Sequence, residues 1–145
     1  MTKICLLTLV LILAGCATGS SYHSWDDRSK LGYSDAQLNE TVYRVSYTGW
    51  GIPQNECDDF AIMRASEISK EKGYKYFRIL TEKQSSQTQP FYFSRSIGRT
   101  DTISPNYTFS TITIEMLKEK RKDASDILDA DIIWNSLAKR HGVGK

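Results

Sequence analysis

The side chains of this 145-residue chain that could do chemistry are three cysteines, several clustered carboxylates, two histidines and one arginine on an apolar helix face. Cys16 follows Leu13-Ala14-Gly15 at the end of an apolar run from Ile4 to Leu13. A thiolate at that place is a nucleophile able to accept a lipid, and the small residues before it let the backbone lie extended in a peptidase groove. Cys5 lies inside the apolar run, so Cys57 is left without an intrachain partner. It is either buried as a small hydrophobe or an exposed thiol able to pair between molecules.

The carboxylates Glu56, Asp58 and Asp59 suggest a metal site or an acid–base pair. Their place in the first turn of a predicted helix is explained by the helix dipole, so no metal is expected there. Asp126, Asp129 and Asp131 lack the glycine and the glutamate that a calcium-binding EF-hand loop requires. His23 and His141 fall in a predicted tether and a C-terminal tail, too mobile to hold a nucleophile's base in place. Gly142-Val143-Gly144-Lys145 imitates the end of a phosphate-binding loop without the strand and helix that such a loop joins. No catalytic constellation emerges. The chain is read as no enzyme and as needing no cofactor beyond a covalent lipid on Cys16.

Arg64 stands amid Cys57, Phe60, Ala61, Ala65 and Ile68 on one face of the predicted helix. An unpaired buried charge is costly, and Glu67, one turn on, is the near partner. The pair is either a clamp between helix and sheet or a guanidinium offered to an anionic ligand such as a carboxylate or phosphate. Tyr74, Tyr76 and Tyr92 form a candidate interaction face, since tyrosine combines rigid area with a polar tip. The alternative is strand-forming residues half covered by loops. Lys118, Lys120, Arg121 and Lys122 read as a solvated turn.

The elements that must position these residues follow from periodicity and caps. Tyr43, Val45 and Tyr47 alternate with polar residues, the mark of a strand over 40–48 with one buried face. Asn55 caps a helix that runs to about Lys72 and ends at Gly73. A second strand spans 74–81 with Phe77 and Ile79 on one face, and Glu82 to Gln89 reads as a polar loop. Phe91, Phe93 and Ile97 mark a third strand and Tyr107 to Met116 a fourth, with a bulge near Ser110 to reconcile its two parities. A last helix spans 125–140. The expected fold is α+β, a mixed four-stranded sheet with two helices packed on one face, in the order β-α-β-β-β-α. The helix between the first two strands predicts a right-handed crossover and parallel pairing.

The N-terminus supplies the location. Lys3, the apolar run and Leu13-Ala14-Gly15-Cys16 resemble a bacterial lipoprotein signal with its lipobox, cut between Gly15 and Cys16. The apolar run is too short to span a bilayer. This divides the chain into a signal peptide (1–15), a lipidated N-terminus and flexible tether (16–31), an α+β periplasmic domain (32–141) and a tail (142–145). Within the tether Tyr22 and Trp25 either touch headgroups or fold back on the domain. Ala17, not Asp, follows Cys16, which by the same resemblance implies the periplasmic face of the outer membrane. With 19 Lys+Arg against 17 Asp+Glu, the chain lacks the basic footprint of a nucleic-acid binder.

Gly32-Tyr33-Ser34-Asp35, Tyr43-Arg44-Val45-Ser46-Tyr47, Arg64-Ala65-Ser66-Glu67 and Gly73-Tyr74-Lys75-Tyr76-Phe77, in this order behind a lipobox, resemble a family of small proteobacterial lipoproteins. The resemblance implies a membrane-anchored single domain and brings no active site. The expected function is that of an envelope lipoprotein serving protein interaction or envelope maintenance, with an envelope protein as partner. The alternative is a small-ligand-sensing or hydrolase domain using Arg64 and nearby carboxylates.

Overall fold

A computed structural model of the chain describes residues 22–88, 91–92, 102–103, 106–120 and 124–144. The signal segment, Gly15, Cys16, Phe93, Ile97, the turn residues 121–123 and Lys145 lie outside the described residues, as does the side chain of Tyr92. The elements are β1 (Gly32–Gln37), β2 (Val42–Trp50), α1 (Gln54–Glu71), β3 (Tyr76–Thr88), β4 (Phe91–Tyr92), β5 (Thr102–Ile103), β6 (Asn106–Leu117), β7 (Ile127–Asp129) and α2 (Ala130–His141).

The principal sheet has five strands in the order β1-β2-β6-β3-β7, and every pairing in it is antiparallel. The α+β class is as expected; the four-stranded mixed sheet is corrected. β2 and β3 flank α1 as the crossover reading required. However, β6 pairs with both of them, from Val42↔Glu115 to Trp50↔Tyr107 and from Tyr76↔Leu117 to Thr88↔Asn106. The two strands therefore point the same way without touching. β1 escaped notice because Gly-Tyr-Ser-Asp-Ala-Gln has no apolar alternation, and an edge strand can be held by its ladder with few buried side chains.

Four further corrections concern where the strands run and pair. Glu82 to Thr88 is no loop but the second half of β3, paired with Ile112 through Asn106. The bulge falls in β3, between Ile79 and Thr81, and not near Ser110. In β6 the parity never slips: Thr108, Ser110, Ile112, Ile114 and Met116 all point inward and are buried. Tyr107 and Phe109 lie on the other face. Ile127 and Leu128, placed in the last helix by their spacing, belong to β7, and α2 begins only at Ala130. Asp129 caps it, its carboxylate accepting from the amides of Asp131 and Ile132. β4 and β5 form a separate two-stranded antiparallel sheet, with Phe91 opposite Ile103 and Tyr92 opposite Thr102.

α1 starts after Pro53, which stands in the cap position with no side-chain hydrogen bond; Asn55 lies inside the helix and caps nothing. Pro is suited to a helix start because it has no N–H to leave unpaired. At the other end Gly73 adopts φ 77°, while its amide and that of Tyr74 return to the carbonyls of Lys70 and Ser69. α1 is buried on two sides, against the sheet and against α2, so Met63, Ser66 and Ser69 are as inaccessible as Phe60 and Ile68. The two serines remain inside because their hydroxyls donate to the carbonyls of Ile62 and Ala65. Tyr47, Phe60, Phe77 and Ile114 meet at the centre, each fully buried and each worth about 1.5–3 kcal/mol by transfer from water.

Residues 22–31 lie against the domain. Ser24 bridges to Tyr33 in parallel, Asp26 bridges back to Leu31, and the Trp25 amide donates to the Tyr33 carbonyl at 2.8 Å.

Candidate functional site

Arg64 is the centre of the densest polar cluster among the described residues. β1 pairs with β2 so that Asp35 faces Val45, on the side of the sheet that α1 covers. This brings the carboxylate to Arg64, whose Nε donates to Asp35 Oδ1 at 3.0 Å. Arg64 Nη1 donates to Glu67 Oε2 and to Glu71 Oε1, each at 3.1 Å. Tyr33 lies under the guanidinium, 4.7 Å from Cζ to the ring centroid. Glu67 Oε2 also accepts the Tyr22 hydroxyl at 2.5 Å.

The electrostatics follow from this geometry. Burial alone lowers the Arg64 pKa, but the hydrogen bonds to Asp35 and Glu67 outweigh it and the net shift is upward. The Tyr22 hydroxyl is pushed well above the usual tyrosine range, first by burial and then by its bond to the Glu67 carboxylate. Tyr33 moves the same way, chiefly through burial. One cation shared among three carboxylates leaves the cluster formally negative, which repels an anion. The arrangement is that of a clamp joining β1 to α1 and to the segment before β1.

The Tyr22 ring completes an aromatic group with Tyr33, Phe60 and Trp134, at centroid distances of 5.1, 5.6 and 6.0 Å. Next to it Glu67, Lys70, Glu71 and Trp134 line a shallow pocket of about 280 Å³. Lys70 is held at its rim by Asp131 at 2.9 Å. A smaller cavity of about 100 Å³ lies between His23, Leu31, Gly49, Trp50 and Ile52.

Cys57 is fully buried, which decides between its two alternatives. Its Sγ lies 3.5 Å from the Tyr47 carbonyl and 3.4 Å from that of Thr108, and donates to them. Burial, reinforced by the Asp58 charge, raises its pKa to about 12. His141 is no part of a mobile tail. It closes α2 with Nε2 2.8 Å from Asp59 Oδ2, the same oxygen that accepts from Arg140 Nη1 at 2.9 Å, and its ring packs 4.8 Å from that of Phe60. Asp59 thus ties the helices together; of the three carboxylates expected in the first turn of α1 only Glu56 lies there, because the helix begins at Gln54 and Asp58 and Asp59 fall beyond that turn.

Of the candidate face, the two tyrosines whose side chains are described, Tyr74 and Tyr76, separate. Tyr76 lies on the side of the sheet opposite Phe77, half-buried under Lys75, whereas Tyr74 precedes β3 and packs against the core. Arg78 pairs with Glu115 at 2.7 Å and Ser46 bonds Thr111 at 3.0 Å on the outward side. Trp50, Tyr107 and Phe109 complete that face at its other end, Tyr107 and Phe109 stacking at 6.4 Å. An uninterrupted parity reading of residues 107–116 would have found the last two.

Among the described residues no set of three His, Cys, Asp or Glu side chains could hold a metal ion, and no helix is long and apolar enough to cross a membrane. Compared with protein-family models, curated proteins and solved structures, the chain matches none.

Proposed function

We propose that this chain is a lipid-anchored envelope protein, held by acylated Cys16 to the periplasmic face of the outer membrane. Its domain engages another envelope protein through the outward face of the sheet. The observation that supports this reading is the one-sided cover of that sheet. Both helices contribute to a single core on one side, while Arg44, Ser46, Thr111, Thr113, Tyr76 and the Arg78–Glu115 pair stand on the other. A surface of half-buried polar and aromatic side chains on a rigid ladder suits protein contact better than chemistry. The ligand-sensing or hydrolase alternative has less behind it, because Arg64 is already engaged by three carboxylates.

The test is site-directed photocrosslinking in cells, with the reactive group at Arg44 or Thr113 on the outward face and at Ser136 on α2. One defined adduct is expected from the outward positions, lost in a Cys16→Ala chain. Equal adducts from Ser136, or none from the outward face, would overturn the reading.

A further inference from the structure

We propose that the end of the domain carrying Trp25 and Trp50 sits in the lipid–water interface. The inference deepens the anchored reading and rests on it. Ser24 pairs in parallel with Tyr33, so from Ser24 back to Tyr22 the chain runs toward the start of β1. That is the end at which β2 finishes, since Gly32 stands opposite Thr48. From a lipidated Cys16 to Tyr22 the backbone reaches at most about 20 Å, at roughly 3.3–3.6 Å per residue. Tyr22 is fixed to Glu67 and to the rings of Tyr33, Tyr47, Phe60 and Trp134, so the slack ends there. A bilayer holding the lipid therefore lies within that reach of Tyr22, beside the segment that carries Trp25.

What stands at that end fits a membrane surface. Trp50 is 59% exposed and lines the cavity with His23, Leu31 and Ile52, and Trp25, two residues beyond His23, is 41% exposed. Tryptophan favours the headgroup region, where its ring is covered by acyl chain and its N–H stays hydrated. Among the described residues the other large exposed apolar side chains, Leu38, Leu80 and Ile132, stand singly on the β1–β2 turn, the β3 bulge and the first turn of α2. The loop between the tryptophans' elements balances Asp26 and Asp27 against Arg28 and Lys30, all exposed. Contact should then depend little on salt.

The test uses the lipidated full chain in vesicles of phosphatidylethanolamine and phosphatidylglycerol brominated near the headgroup. Three variants each keep one tryptophan, the other two replaced by Phe. Fluorescence of Trp25 and of Trp50 is expected to fall at least two-fold, with Trp134 unchanged and with the same result at high salt. In the wild-type chain, which needs no substitution to fold, two of the three tryptophans should be quenched. Vesicle flotation and the mass of the N-terminal peptide report the anchor separately. A chain that floats without quenching of Trp25 and Trp50 overturns this inference alone. A chain that carries no lipid overturns it together with the anchored reading.

Discussion

The Tyr22 hydroxyl donates to Glu67 Oε2 at 2.5 Å, joining residues 45 apart, and the same carboxylate oxygen accepts from Arg64. One oxygen thus couples the segment that precedes the domain to the clamp that fixes β1 on α1. Loosening either partner should be felt at the other, because each donor orients the carboxylate for its companion.

Tyr22→Phe keeps the ring and removes the bond. A loss of about 1 kcal/mol is expected, discounted from the value for charged acceptors because Glu67 is partly exposed. The hydroxyl's pKa is raised in the folded protein, so its contribution is complete below about pH 10 and is lost as pH climbs beyond it. Urea midpoints between pH 8 and 11 should fall more steeply for wild type than for the variant. Parallel curves would remove Tyr22 from the account.

Arg64→Ala leaves Asp35, Glu67 and Glu71 facing one another with no cation between them. A loss of about 2 kcal/mol is expected in chemical unfolding, below the figure for a fully buried pair because the cluster is partly wet. Arg64→Lys should recover less than half of it, since an ammonium cannot fork between Asp35 and Glu67. A change under about 0.5 kcal/mol for the alanine variant would show that the clamp carries no weight.

Cys57 should be inert in the native protein. With its pKa near 12 and its sulfur fully buried, the thiolate fraction at pH 8 is negligible. Alkylation of the Cys57 peptide, followed by mass spectrometry, should track global unfolding across a urea series. The same shift makes stability fall from about pH 9 toward pH 12, where the unfolded thiol ionises first. Rapid native labelling would contradict the burial.

Gly32→Ala should free the segment before β1. Gly32 has φ 109°, and a Cβ there would lie 2.4 Å from the Ser24 carbonyl oxygen. Gly51, at φ 68° with nothing within 4 Å, is the control that carries backbone strain without collision. Strain alone costs about 1 kcal/mol. Gly32→Ala should exceed Gly51→Ala and raise hydrogen exchange at the Trp25 amide, which is bonded to Tyr33. Equal effects would mean that the Ser24–Tyr33 bridge holds nothing.

Local periodicity made β2, the body of α1 and the inward faces of Phe77 and Ile112 legible in the sequence, because their apolar residues repeat at the spacing of the element. The Arg64–Glu67 contact was legible for the same reason, being one helical turn. Asp35 and Tyr22 were not: their link to Arg64 and Glu67 exists only after β1 pairs with β2, and nothing in a polar edge strand announces that pairing. The His141–Asp59 contact depends in the same way on the antiparallel packing of the two helices. Where a strand is polar, as in Glu82–Thr88, its ladder bonds leave no trace in composition.

The central position of β6 has a consequence for the order of events in time. Both of its neighbours are synthesised before it, and Val42 must wait for Glu115. Until Asn106 has emerged, only the β1–β2 hairpin and α1 have their partners at hand. Pairing over such separations is slow. A chain threaded N-terminus first through a narrow passage therefore stays a pliable thread for most of its length, and acquires its shape only when its last quarter arrives.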